Sequence, residues 1–247
     1  LTDTQCRPQG KEWLQTMARN FTPRTEMVIG YSTYEHGKGW LSKRVCYDNL
    51  FTGMRYLSAA LGGHPYMAFG RNLAYRKELF YQHKGLSAYL TLQRGDDDLF
   101  VNQTASASNT RVECSPEAVM CTSQPYRVKD WREEKIGYRS TAHLYKGCQR
   151  WIFGFETCTR LLFHTGWLTS MVLGTWQAHW AVAAAGPLLF LLKWGVQGIV
   201  MRLTCQALNE PRRYFWSLPV FDFLQPMQSL RWELYCLFRK KSDFLRK

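Results

Sequence analysis

Three consecutive carboxylates, Asp96, Asp97 and Asp98 in the run "QRGDDDLFVNQTA", stand directly before the apolar Leu99, Phe100 and Val101. Adjacent carboxylates raise one another's pKa, and burying an ionised one costs several kcal/mol unless it is paired. A carboxyl group that can take up a proton transiently is what general acid–base chemistry uses. A plainer role is open to the same residues: one Asp at the N-cap of a helix beginning near Leu99, the others complementing its dipole. The two roles are compatible.

Other groups suited to a polar substrate lie nearby. Gly70, Arg71 and Asn72 read as a turn that brings backbone close to a ligand, and Arg76 can contact phosphate or sugar hydroxyls. The alternative is an ordinary turn followed by a basic helix face. His64, ahead of Pro65, reads as a loop histidine.

These side chains need a scaffold. Up to about residue 150, strand-like and helix-like runs alternate. Trp13, Leu14, Met17 and Phe21 recur at helical spacing, "TEMVIGYSTY" reads as a short strand before the loop "EHGKGW", and residues 41–61 carry a long amphipathic helical pattern. A strand is expected at 66–69, a helix opening near Tyr75, and a strand with a turn in "RVECSPEAVMCTSQ". "LTDTQC" reads as the end of a buried strand running into a turn. Such alternation argues for a mixed α/β domain over residues 1–150.

Composition changes from Trp151 onward. The stretch 161–179 lacks Lys, Arg, Asp and Glu, and 180–201 is interrupted only by Lys193. Each is near the roughly 20 residues that cross a bilayer core. A third apolar run, 214–238, contains Asp222, Arg231, Glu233 and two prolines, and is expected to lie in the interface or re-enter rather than span. The link between the first two runs has no basic residue, whereas Arg202, Arg212, Arg213 and the tail "RKKSDFLRK" follow the second. Positive-inside reasoning then gives a multi-pass hairpin with both the α/β domain and the tail cytoplasmic.

The whole chain carries 32 Lys and Arg against 19 Asp and Glu, a net charge of +13, which favours anionic partners. Its ten tryptophans gather late in the sequence, which fits a membrane interface better than nucleic acid. The basic stretch 127–150, with Trp131, Tyr138 and Tyr145 interleaved, is accordingly expected to lie on anionic lipid. The eight cysteines are scattered without zinc-ligand spacing, and several sit in apolar runs where a free thiol acts as a small hydrophobe.

With these segments laid out in order, the chain resembles bacterial membrane-attached family-2 glycosyltransferases. "GDDDLFVNQ" resembles the family's acidic motif, with Asp96 and Asp97 as the pair, and "GRNLAYR" is similar to its Gly-x-Asn-x-x-Tyr-Arg segment. "LTDTQC" resembles the strand end bearing the donor-site Asp-x-Asp, and "WREEKIGYRS" falls where a Gln-x-x-Arg-Trp helix is expected. "ALNEPRRYFWSLPVFDF" resembles the linker and interfacial helix after the hairpin. The resemblance implies a partial GT-A domain followed by a transmembrane helical hairpin and an interfacial helix, in the bacterial inner membrane. It implies inverting transfer of a sugar from a nucleotide-sugar donor to a hydroxyl of a lipid-linked or cell-surface glycan. Asp97 would be the general base with Asp96 beside it. Gly70, Arg71, Asn72, Arg76, Trp131, Glu134 and Tyr138 would contact substrate, and Asp3 with Gln5 would hold Mg²⁺ or Mn²⁺. Asp98 inherits no role and is expected to face solvent.

Two departures qualify this. Gln5 stands where the family places a second acid, and an amide oxygen binds divalent cations more weakly than a carboxylate. Glu134, Gly137 and Tyr138 stand where Gln, Arg and Trp are expected, so a phosphate or acceptor contact from an arginine at 137 is lost. The family's nucleobase-gripping strands would precede Leu1, and the 247 residues by themselves are expected to be inactive. Two rival readings are a degenerate, non-catalytic membrane partner and a small transporter or channel subunit. The second requires ionisable residues within the helical bundle.

Overall fold

The computed structural model describes residues 1–239 and 244, apart from Gln93 and Tyr126, with the side chains of Ala88, Gln149 and Arg150 left aside. The basic tail invoked for orientation therefore lies outside the described residues except for Arg239 and Phe244. Strands β1 (Cys6–Pro8), β2 (Met27–Gly30), β3 (Ser32–Tyr34), β4 (Leu73–Tyr75), β5 (Thr110–Glu113) and β6 (Met120–Thr122) are short. Helices α1 (Trp13–Ala18), α2 (Trp40–Leu61), α3 (Lys77–Gln82), α4 (Asp98–Thr104) and α5 (Val128–Ala142) accompany them. Then follow α6 (Gln149–Trp176), α7 (Trp180–Ala207) and α8 (Leu218–Phe238). The chain is a mixed helix-and-sheet protein, as the alternating pattern predicts.

Two three-stranded sheets, ordered β4-β2-β5 and β1-β6-β3, form one layered unit. β2 and β3 are separated only by Tyr31, and they run parallel to β5 and β6 respectively, while β4 and β1 pair antiparallel at the flanks. Parallel neighbours need long crossovers. Here α2 to α4 supply them, and α2 lays Ser42, Val45, Cys46, Asn49, Leu50, Gly53 and Leu57 on its buried face at helical spacing. Asn49 donates to the backbone oxygen of Ser32 at 2.8 Å, fixing this helix to β3.

Three sequence expectations move. The strand expected at 66–69 is extended loop, and the ladder is made instead by Leu73–Tyr75 opposite β2. Tyr66, Met67, Ala68 and Phe69 are buried because they line the core, not because they pair in a sheet. The opening strand comes after, not before, the turn at Thr4 and Gln5, although Leu1 exchanges two backbone hydrogen bonds with Leu73. Finally, the aromatics interleaved in the basic stretch 127–150 face protein rather than lipid. Trp131 is 2% exposed and packs edge-on to Trp232, while Tyr138 and Tyr145 point toward α4.

Among the described residues, one helix, α7, is long and apolar enough to cross a membrane. The expected first span lies within α6, where His164, Thr165, Thr169, Ser170 and Thr175 dilute the apolar residues. The two helices pack closely: a Cβ on Gly174 would come within 2.4 Å of the Ala183 backbone, and one on Gly186 within 2.7 Å of the Trp167 carbonyl. Small residues at such a seam let helix backbones meet.

Candidate active site

The acid triplet sits where the chain enters α4, and the helix start sends each carboxylate to a different environment. Asp97 is the N-cap: its Oδ1 accepts the Asp98 N–H at 2.8 Å. Its Oδ2 accepts the Gly70 N–H at 2.8 Å and the Tyr138 hydroxyl at 3.1 Å. The side chain is 7% exposed and lines a cleft of about 660 Å³. Burial pushes its pKa up and Asp96 adds to this, against the opposing effect of the three hydrogen bonds.

Asp98 corrects the expectation of solvent exposure. It is 0% exposed, turned away from the cleft, and accepts from Leu99 N–H at 2.9 Å, Tyr145 Oη at 2.7 Å and Thr141 Oγ1. Burial first, and the neighbouring Asp97 second, raise its pKa to about 6. Asp96 is exposed and lines the cleft. The apolar wall has a purpose here: Leu99, Phe100 and Val101 are almost wholly buried. Each contributes roughly 2 kcal/mol, which offsets the cost of seating two carboxylates beneath them.

Across the cleft, Arg71, Tyr34 and Glu134 form a closed set. The Tyr34 hydroxyl donates to Glu134 Oε1 at 2.9 Å, and Arg71 Nη2 donates to Tyr34 Oη at 2.9 Å while pairing with Glu134. The guanidinium lies over the rings of Tyr34 and Phe69, at 4.8 and 5.4 Å. Burial alone would raise the Glu134 pKa, but Arg71, Lys135, the Tyr34 hydroxyl and Arg94 together hold it below the usual carboxylate range. Arg71 Nη1 is buried with no protein partner among the described residues, an unsatisfied donor beside the cleft that Arg71 lines.

Arg94 explains Gly137. A Cβ at 137 would lie 2.4 Å from Arg94 Cδ, and the Arg94 guanidinium sits 5.3 Å over the Tyr138 ring. The volume in which an arginine at 137 would start is filled by an arginine arriving from the loop before α4.

Asp3 and Gln5 line the same cleft, so eight residues expected from sequence meet there: Asp3, Gln5, Gly70, Arg71, Asp96, Asp97, Glu134 and Tyr138. Three do not. Asn72 is fully buried, donating to the carbonyls of Tyr31 and Ala118 at 2.7 and 2.8 Å and accepting from Trp13 Nε1 at 3.0 Å. Arg76 ties down the loop before β2 through the carbonyls of Thr25 and Thr22 at 2.9 and 3.0 Å. Trp131 belongs to the core between α5 and α8. Each is a polar or aromatic residue whose partner is protein. Sequence reasoning missed Tyr34, Arg94 and Asp130 in the lining. Only the missing side chain at 137 hinted at Arg94, and nothing in the local pattern of β3 singled out Tyr34.

Acids outnumber the two arginines among the lining residues, although the chain as a whole is basic. Asp3 and Gln5 offer hard oxygen donors, but only one is a carboxylate, and no group of three His, Cys, Asp or Glu able to hold a metal occurs among the described residues. That donor set, one carboxylate and one amide, does not form a closed cage and would hold a divalent cation only with most of its ligands supplied from elsewhere. No protein-family model matches the chain, and a search of curated proteins finds no significant match.

Proposed function

We propose that the chain is part of a membrane-attached, inverting, family-2-like glycosyltransferase, with Asp97 as its general base. The observation that carries this reading is a buried, pKa-raised carboxylate bordering a cleft that also gathers eight residues assigned by resemblance from four separate segments. The parallel β2–β5 and β3–β6 pairs, with the cleft beside β3 and β6, support assignment to a GT-A-like domain.

In this reading an acceptor hydroxyl approaches Asp97 from the cleft and gives up its proton to the carboxylate as its oxygen attacks the anomeric carbon. Gly70 N–H and Tyr138 Oη hold the carboxylate in place for that transfer. Arg71 and Arg94, the two arginines lining the cleft, meet the negative charge of the nucleoside diphosphate that departs. A divalent cation, Mg²⁺ or Mn²⁺, would be held by Asp3 and Gln5 and would neutralise that diphosphate. Arg94 then supplies the charge that an arginine at 137 would otherwise bring. Membrane attachment runs through α7, with α6 as the second leg of a hairpin. The exposed Leu162, Val172 and Leu173 and the end tryptophans Trp151 and Trp176 support that placement. The acceptor is then a lipid-linked or surface glycan reached at the cytoplasmic face.

The rival, a non-catalytic relative, draws on Gln5 and on the incomplete metal set. Turnover of nucleotide-sugars by the full-length protein, with and without Asp97→Asn, decides between them. No turnover by the unsubstituted protein favours the rival, and equal turnover by the variant removes Asp97 from the chemistry. The transport reading needs ionisable groups in the helical bundle. Asp222 is such a group, but its charge is met by Arg160 and Lys193 rather than left for a solute.

A further inference from the structure

A second cleft, of about 520 Å³, opens at the C-terminal end of α7, and it shares no lining residue with the first. One side is the α7 face bearing Gly198, Met201, Arg202, Cys205 and Gln206, and the other is the connection 209–215. A Cβ on Gly198 would lie 2.7 Å from the Phe215 ring, so glycine lets that ring close the apolar end of the cleft. Phe215 stacks on Trp194 at 5.0 Å, and the exposed Trp216 stands edge-on to Trp194 at 5.8 Å. Aromatics in this arrangement mark the boundary between hydrocarbon and headgroup.

The polar end is positive. Arg202, Arg212 and Arg213 line it. Arg212 donates to Ser42 Oγ at 2.8 Å, whereas Arg202 and Arg213 are exposed and unpaired with any carboxylate among the described residues. The single acidic residue in the lining, Glu210, is turned inward, with Oε2 accepting from Thr33 Oγ1 at 2.9 Å and Oε1 lying 2.6 Å from His36 Nε2. Two free guanidiniums, Arg202 on α7 and Arg213 on the connection after it, stand above an apolar floor beside the outer α7 face of Val196, Ile199, Val200 and Leu203, and this arrangement matches one amphiphile in charge and shape. We infer that this cleft binds the headgroup of an anionic phospholipid from the leaflet facing the α/β domain. Arg202 and Arg213 hold the phosphate, and the acyl chains lie along α7. The inference rests on α7 lying in a membrane, and it is independent of the chemistry at Asp97.

Tryptophan quenching of the full chain in neutral detergent, by brominated phosphatidylglycerol and separately by brominated phosphatidylcholine, tests it. Phosphatidylglycerol is expected to half-quench at a concentration about thirty-fold below that of phosphatidylcholine. Arg202→Gln with Arg213→Gln should abolish the difference at an unchanged melting temperature. Gln206→Phe should abolish it too, since it fills the cleft and keeps every arginine. A preference that survives Gln206→Phe belongs to diffuse surface charge and overturns the site. So does equal quenching by the two lipids, or displacement of phosphatidylglycerol by millimolar inorganic phosphate, which would make the occupant a free anion. Quenching by neither lipid would overturn the membrane placement along with the site.

Discussion

Two of the regions that bury carboxylates in this protein surround them in opposite ways. Asp97 and Asp98 are held by N–H groups and by the hydroxyls of Tyr138, Tyr145 and Thr141, with no cationic side chain in direct contact among the described residues. Asp222, 3% exposed where α6, α7 and α8 meet, accepts from Arg160 at 2.9 Å, Gln197 at 3.2 Å and Lys193, with His164 Nε2 at 3.1 Å. Arg160 also pairs with Glu156 at 2.8 Å, and Glu156 with Arg55 of α2, so the charges form a chain from the helical bundle to the α/β part. Cations keep a carboxylate ionised and make it a bolt between helices. Neutral donors leave its proton exchangeable. The same side chain is thus fixed by cations in one centre and by neutral donors in the other.

Substitution tests that division most strongly at Asp97. In full-length protein, Asp97→Asn is expected to lower turnover by about 10³-fold, within the usual span for loss of a general base, without lowering the melting temperature to match. Asp222→Ala should do the reverse. It leaves Arg160 and Lys193 without their shared partner, a loss of about 3–5 kcal/mol in unfolding free energy, with the activity per folded molecule retained. Asp222→Leu combined with Lys193→Met should recover much of that stability; a double variant no better than the single one would show that Asp222 is not acting as a charge bolt.

The pH dependence sharpens the contrast. The Asp98 pKa of about 6 lies above its unfolded value, so the folded state binds the extra proton between roughly pH 4 and 6. Its contribution favours folding at the acid end of that window and is lost as pH rises through it, by on the order of 3 kcal/mol. Asp98→Asn should flatten that part of the stability–pH curve, measured by denaturant titration at pH 5 and pH 7. Turnover should run the other way, rising with pH, with an acidic limb above the ordinary aspartate range because Asp97 must lose its proton to act. The smallest effect is expected at Arg76. Arg76→Gln removes two loop hydrogen bonds, about 1–2 kcal/mol, and should leave turnover by the folded protein unchanged. A loss of activity there without a loss of stability would return Arg76 to the substrate cleft.

Much of the architecture was legible because it depends on local pattern. Helical spacing located α2 within a residue, the apolar run after the acids announced α4, and the long uncharged stretches marked the bundle. The strand at 66–69 was misplaced because buried loop and buried strand look alike in composition. Arg76 and Asn72 were read as substrate contacts because a side chain's type does not reveal whether protein or ligand will meet it. The polar dilution of α6 was present in the sequence but outweighed there by the absence of formal charge.

From the sequence alone follow the mixed α/β character, the apolar run at 180–201, and the proximity of three acids to the start of a helix, since these depend on neighbours along the chain. Only the tertiary structure decided that Asp97 is buried against the cleft, that Asp96 lines it while exposed to water, and that Asp98 is sealed away from it. It likewise decided that Arg94 occupies the space Gly137 leaves and that Asp222 meets cations from two other helices. A pKa and a contact are set by what surrounds a group in three dimensions, and those partners come from positions tens of residues away.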